Sequence, residues 1–253
     1  MTCSMNRNNT EGEANALQLL VGNLLPQDWK SFVLANFLTA LGALPFGLGL
    51  AAAMLTRSFL ILMLACVLGG AIFGPALSGM VDCILRSLRH CQDDWWCSYR
   101  KAWKQNWRES LVPGIVLCLF VGFLVFMGLQ VFWTSGTLPL GTALCCLASA
   151  LLAAILFSVF WPQLVLFRQS HLSRLRNCLL FFFPNFLRCL AAGLLQVAWW
   201  VLMLVLYPGS LLLLLFLGFW LILYWTYQIL YPALNRVFQI EEKIAETFPE
   251  QCM

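Results

Sequence analysis

Four side chains with metal-ligating chemistry fall within one short stretch: Cys83, His90, Cys91 and Cys97. Structural zinc sites made of thiolate and imidazole rely on a close Cys-x2-Cys pair. The spacing here is Cys-x7-Cys-x5-Cys, with His90 beside the second thiol, which predicts surface and packing cysteines and no metal centre. Carboxylates flank the same stretch. Asp93 and Asp94 are adjacent, so on a helix they would point about 100° apart, a poor acid/base pair and a good helix N-terminus. A membrane enzyme would need Asp82, His90, Asp93 and Glu109 gathered around one inner cleft. The sequence has no Gly-x-Ser-x-Gly, His-Glu-x-x-His or phosphate-loop motif, each of which supplies a nucleophile, a metal-bound water or a phosphate cradle. The expectation is a protein that is not an enzyme, with no catalytic residues and no cofactor.

Directly after Asp94 comes a different pattern. Trp96, Tyr99, Trp103 and Trp107 recur at i, i+3, i+7 and i+11, with Arg100, Lys101, Lys104 and Arg108 on the neighbouring arc. An aromatic stripe beside a basic one is the pattern of a helix lying in the interface of an anionic bilayer. Trp96, Tyr99, Trp103, Trp107, Arg100 and Lys104 are therefore the candidate membrane-surface or partner face. The positive charges are too few to follow a phosphate backbone, so nucleic acid is excluded as a partner.

The elements that carry these residues follow from composition. The chain has 253 residues, 61% hydrophobic and only 10% charged, whereas a soluble domain is about 25% charged. Disorder is excluded by the hydrophobicity, and a soluble globule by the lack of polar cover. The fold class expected is all-α, a polytopic membrane bundle whose first partner is the lipid bilayer. A crossing needs about 20 apolar residues, and six stretches qualify: 31–54, 58–80, 111–133, 138–166, 185–207 and 210–230. Helices are required because lone strands would leave backbone groups unpaired in lipid. Residues 1–30 read as a polar N-terminal segment with a short surface helix, 31–230 as the six-span domain, and 231–253 as a C-terminal amphipathic helix and tail. Of the fifteen Lys and Arg residues, Arg57 alone lies in the links after spans one, three and five. Retained positive charge marks the cytoplasmic side, which predicts three hairpins with both termini inside. Trp29, Trp133, Trp161 and Trp225 fall near span ends, where indole rings favour the headgroup zone.

Within the spans polar groups are sparse. No Asp or Glu lies inside any of the six stretches, while Gln130, Gln163 and Gln196 do. A transporter or channel would place those amides on the wall of a water-accessible cavity. The alternative for Gln196 is a hydrogen bond across helices, and snorkelling is the expectation for Arg188 at the start of span five. His171 sits in a polar run and reads as solvated. Gly70 and Gly74 form a small-xxx-small step that Gly79 roughly continues, the signature of close helix packing. The outer links contain no cysteine, so the eleven cysteines have no oxidising compartment in which to pair.

Gly74-Pro75-Ala76-Leu77, Trp161-Pro162-Gln163-Leu164 and Tyr231-Pro232-Ala233-Leu234 close the three even-numbered spans. Proline removes a backbone donor and bends a helix, so Gly74, Pro75, Pro162 and Pro232 are candidate structural elbows, each leading to an inner-surface amphipathic helix. The second such helix would carry Leu172, Leu175 and Leu179 beside Arg168, Arg174 and Arg176. The third would carry Val237, Ile240, Ile244 and Phe248 beside Glu241, Glu242, Lys243 and Glu246.

Several of these stretches together resemble the YesL-like family of bacterial integral membrane proteins. They are Asn36 and Pro45, the run Gly74-Pro75-Ala76-Leu77-Ser78-Gly79-Met80, Trp103-Lys104-Gln105-Asn106-Trp107, and Leu175-Arg176-Asn177 followed by Pro184-Asn185. The resemblance covers roughly Trp29 to Arg236. It brings no catalytic or binding residues. It implies a bacterial plasma membrane, an association with carbohydrate uptake, and a non-catalytic accessory or scaffold role. The partner it implies is an ABC-type sugar transporter or another membrane protein. A small-solute transporter or channel in its own right is the alternative function.

Overall fold

The computed structural model describes residues 29–89, 94–137 and 139–242. Among them every regular element is a helix: α1 (Trp29–Thr56), α2 (Phe59–Leu88), α3 (Trp95–Ser135), α4 (Leu140–Leu166), α5 (His171–Phe182), α6 (Phe186–Val205), α7 (Ser210–Leu213, continued by a π-helical turn Leu214–Gly218) and α8 (Trp220–Phe238). Five of these are each long and apolar enough to cross a membrane, and α7 with α8 makes a bent sixth. The chain is an all-α, multi-pass membrane bundle. Its outward leucines and phenylalanines, among them Leu48, Leu60, Leu68, Leu152 and Leu204, stay exposed, as side chains in contact with acyl tails do.

The two residues between the first two helices, Arg57 and Ser58, are sufficient for a hairpin. Arg57 takes a left-handed conformation (φ 51°), and Ser58 caps α2 by accepting from the Ile61 amide at 3.5 Å. The Arg57 guanidinium then lies 5.2 Å from the Trp133 ring centroid, so the end of α3 shares this face of the membrane with the α1–α2 turn. Trp29 and Trp133 are exposed near helix ends as expected, but Trp161 is buried in the core.

From that shared face α2 and α3 run much further than a bilayer requires. Their 30 and 41 residues correspond to about 45 Å and 62 Å at 1.5 Å per residue, against a hydrocarbon core of about 30 Å. The ends of both helices away from that shared face therefore extend beyond the length a bilayer core needs. This corrects the elbow at Gly74-Pro75: Pro75 lies inside α2, which runs on to Leu88. Pro162 and Pro232 also lie inside continuous helices, ending at Leu166 and Phe238. A proline inside a membrane helix is tolerated where neighbouring helices hold it, and α2 is held by α1 on one side and α3 on the other.

The aromatic-basic segment is corrected in the same way. It is the first part of α3, continuous with the third span, and it packs along α2. A separate surface helix does follow α4. In α5, Ser170 accepts from the Ser173 amide at 3.3 Å, Leu172, Leu175 and Leu179 stay exposed, and Cys178 and Phe181 are buried. Beyond α8, Gln239 adopts a left-handed conformation and Ile240 packs into the α4–α5–α6–α8 core. Ile244 and Phe248 lie outside the described residues.

The core has two parts. One joins α1, α2 and α3 to the start of α8, with Phe32 stacked on Trp220 at 5.7 Å and Phe73 against Phe219 at 5.6 Å. The other joins α4, α5, α6 and the end of α8 around Ile155, Cys178, Phe181 and Leu230. The sixth span is not the straight helix expected over 210–230. Its two halves meet at 50°, and the break sits against Asn36 of α1.

Candidate functional site

The small-residue seam of α2 sets the geometry where α2 and α3 extend together. A Cβ on Gly70 would lie 2.5 Å from the Ile115 Cα, and one on Gly74 would overlap the Ser110 carbonyl and approach the Gly114 Cα at 3.2 Å. These glycines bring α2 and α3 into backbone contact, as their spacing predicted. One turn further on, a Cβ on Gly79 would lie 2.8 Å from the Tyr99 ring. Tyr99 fills that notch, is 5% exposed, and donates its hydroxyl to the Ala76 carbonyl at 3.2 Å. Thr39 of α1 donates to the same carbonyl at 3.4 Å. The Gly-Pro-Ala box is thus the point at which three helices are tied together.

Tyr99 therefore leaves the candidate surface face and becomes a packing residue. Trp96, Trp103 and Trp107 remain on it, 47%, 43% and 44% exposed, as do exposed Arg100 and Lys104. The face borders a groove. Leu38, Leu41 and Gly42 of α1 make one wall, Ile72 and Ala76 of α2 the floor, and Trp96, Arg100 and Trp103 of α3 the rim, with the Tyr99 ring beneath, around about 410 Å³. Gly42 keeps the floor shallow, since its missing Cβ would come within 2.8 Å of the Ala76 Cβ. Arg100 has no ion pair among the described residues. No family model, curated protein or solved structure matches the chain.

The other candidates are dispersed. Asp82 of α2 pairs with Arg86 at 2.8 Å, and Glu109 of α3 pairs with Arg174 of α5, so these two carboxylates serve different contacts. His90, Cys91 and Asp93 lie outside the described residues. Cys83 is half-buried, while Cys97 is exposed. His171 is exposed, stacked on Phe160, and 3.3 Å from an Arg174 nitrogen.

Of the intramembrane amides, Gln196 is bonded across helices, while the Oε1 of buried Gln163 has no partner among the described residues. Gln196 of α6 donates to Ser158 of α4 at 2.8 Å and is 3.2 Å from the Thr226 hydroxyl of α8, the cross-helix role expected of it. Gln163 is buried, donating to the Val159 carbonyl at 3.2 Å and reaching the Cys178 sulfur at 3.5 Å. Gln130 is half-buried on α3. Gln196 thus links α4, α6 and α8, whereas Gln163 bonds within α4 and reaches the Cys178 sulfur of α5.

Two structural residues escaped the sequence reading. Arg174 was one of a basic row on a surface helix, yet it is 0% exposed. It reaches Glu109 and also donates to the Phe167 carbonyl at 3.1 Å, fastening α5 to the projecting end of α3. Breaking a buried pair leaves an uncompensated charge, but Glu109 is partly exposed, which tempers the loss. Glu109→Ala is expected to weaken the docking of α5 by about 1–2 kcal/mol, read as faster hydrogen exchange in α5 with the spans unchanged. The second is Asn36, treated in the Discussion.

Cys178 gives a chemical check on the same docking. Burial pushes its thiol up to about 12, opposed by the Gln163 contact and reinforced by nearby Cys189. The thiol is the reactive form only when ionised. From pH 7 to pH 9 Cys178 is expected to resist maleimide while exposed Cys97 is modified, by peptide mapping. Glu109→Ala, by loosening α5, should raise the Cys178 rate.

Proposed function

We propose that the chain is a non-catalytic accessory protein of the bacterial plasma membrane, with both termini cytoplasmic, that works beside a carbohydrate-uptake transporter. In this reading it is a relative of the YesL-like proteins, and the inner end of α2 and α3 is the part that meets the partner. One observation carries the proposal. A helix pair longer than the bilayer needs, locked by glycine contacts, presents Trp96, Trp103 and Trp107 together with Arg100 and Lys104 beyond the spans. Exposed tryptophan and arginine on a rigid support are the residue types that dominate protein interfaces. The cross-helix bonds of Gln196 favour this role over a solute path lined by that side chain.

The test is a photo-crosslinking residue at Lys104 or Arg108 in living cells, with adducts identified by mass spectrometry. A discrete adduct with a subunit of an ABC-type sugar transporter, lost when Trp103 and Trp107 are changed to Ser, is the expected result. Adducts to lipid alone, or adducts unaffected by the Trp changes, would refute it.

A further inference from the structure

We propose that the groove between α1, α2 and α3 holds one anionic phospholipid of the inner leaflet, its headgroup phosphate on Arg100 and an acyl chain along Leu38, Leu41 and Ile72. The inference is independent of the accessory role, since it requires only the purified chain and bilayer lipid.

The groove is graded in chemistry along the membrane normal. At its inner end it is rimmed by Trp96, Trp103 and Arg100, on the part of α3 that extends beyond the length a bilayer core needs. Deeper in, its walls are aliphatic, from Leu38 and Leu41 on α1 and Ile72 on α2. Indole rings flanking a cation belong at headgroup depth, and aliphatic side chains below them belong with acyl tails. Leu41 and Ile72 are 43% and 50% exposed, so the groove opens sideways towards lipid. Its volume of about 410 Å³ falls in the range of small-molecule sites, roughly 300–1,000 Å³.

Charge selects among bilayer components. Arg100 is exposed, lies at the rim and makes no ion pair among the described residues. A guanidinium can donate two parallel hydrogen bonds to a phosphate. Lys101 and Lys104 extend the positive potential on the same turn and the next. A zwitterionic lipid brings no net charge to that field. A soluble phosphate would satisfy Arg100 and leave the aliphatic walls uncovered.

The experiment uses the full-length chain in neutral detergent, with bound lipids counted by native mass spectrometry against phosphatidylglycerol and chain-matched phosphatidylcholine. One phosphatidylglycerol is expected, retained about fivefold over phosphatidylcholine, the worth of one basic side chain beside an anionic headgroup. Arg100→Gln should reduce the preference, and lower phosphatidylcholine retention to a smaller extent, because the phosphate of either lipid loses the guanidinium while Lys101 and Lys104 remain. Ile72→Trp, which fills the groove from a lipid-exposed position, should lower retention of both lipids several-fold. Both sites are exposed, so both variants are expected to keep the wild-type circular dichroism. The proposal is overturned by equal retention of the two lipids in the wild type, by an undiminished preference in Arg100→Gln, by unchanged retention in Ile72→Trp, or by full displacement of the lipid by glycerol 3-phosphate.

Discussion

Asn36→Leu is expected to destabilise the bundle by about 3–4 kcal/mol, more than any other single substitution of a polar residue in the spans. The reason is the broken sixth span. Where the π-helical turn Leu214–Gly218 gives way to α8, the ordinary ladder of backbone hydrogen bonds is interrupted inside the hydrocarbon, where water cannot replace it. Asn36 is fully buried beside the break. Its amide nitrogen donates to the Leu214 and Leu215 carbonyls at 3.0 and 2.7 Å. Its carbonyl oxygen accepts from the Phe219 and Trp220 amides at 2.9 and 3.1 Å. Trp199 completes the set by donating to the Gly218 carbonyl at 2.9 Å.

Leucine matches asparagine in size and can replace none of these bonds. Aspartate would keep the two acceptor contacts, lose the two donor contacts and bury a charge, so Asn36→Asp should fare no better. The loss is read from reversible unfolding in mixed micelles, together with faster amide exchange at Phe219 and Trp220. A loss below about 1 kcal/mol would mean that the break does not depend on this side chain.

The second large effect belongs to the α2–α3 seam. Gly74→Val should cost about 3–5 kcal/mol or prevent folding, because the first added carbon meets the Ser110 backbone carbonyl and not a movable side chain. To make room the helices must part, and the contacts at Gly70–Ile115 and Gly114–Gly74 part with them. Gly128→Val supplies the control, since a Cβ there has no neighbour within 4 Å. It should be nearly neutral, and slightly favourable to the extent that valine outperforms glycine in a helix. Equal effects of the two variants, judged by monodisperse yield and unfolding midpoint, would remove the seam from the account.

The sequence made parts of this architecture readable and concealed others for identifiable reasons. The spans could be located because apolar length is a requirement of the bilayer, and the Gly70–Gly74 step and the cross-helix role of Gln196 followed from packing rules that act locally. The extension of α2 and α3 was hidden. A 20-residue ruler stops at Met80 and restarts at Leu111, and contacts such as the fit of Tyr99 to Gly79 show the helices continuing as a pair. The prolines misled for a related reason. Pro75 does not end α2, which continues to Leu88 between α1 and α3.

Other features left no local trace. The run from Leu211 to Leu217 has nothing to distinguish a π-helical turn from a regular one. The break becomes intelligible only through Asn36, which is 178 residues away from the first carbonyl it binds. Trp161 and Arg174 behaved as interface residues in sequence and proved to be core residues, because their partners come from distant helices. Of the candidate face, the exposed Trp96, Trp103 and Trp107 were foreseeable from periodicity. The groove they border was not, since its other wall is supplied by α1.

The most direct test concerns which side of the membrane the projecting end occupies. Intact cells expressing Thr137→Cys would be treated with a membrane-impermeant maleimide, and modified peptides mapped before and after permeabilisation. Modification at position 137 in intact cells, with native Cys97 modified only after permeabilisation, is the predicted result. Modification of Cys97 in intact cells, with position 137 protected until the membrane is opened, would contradict the account.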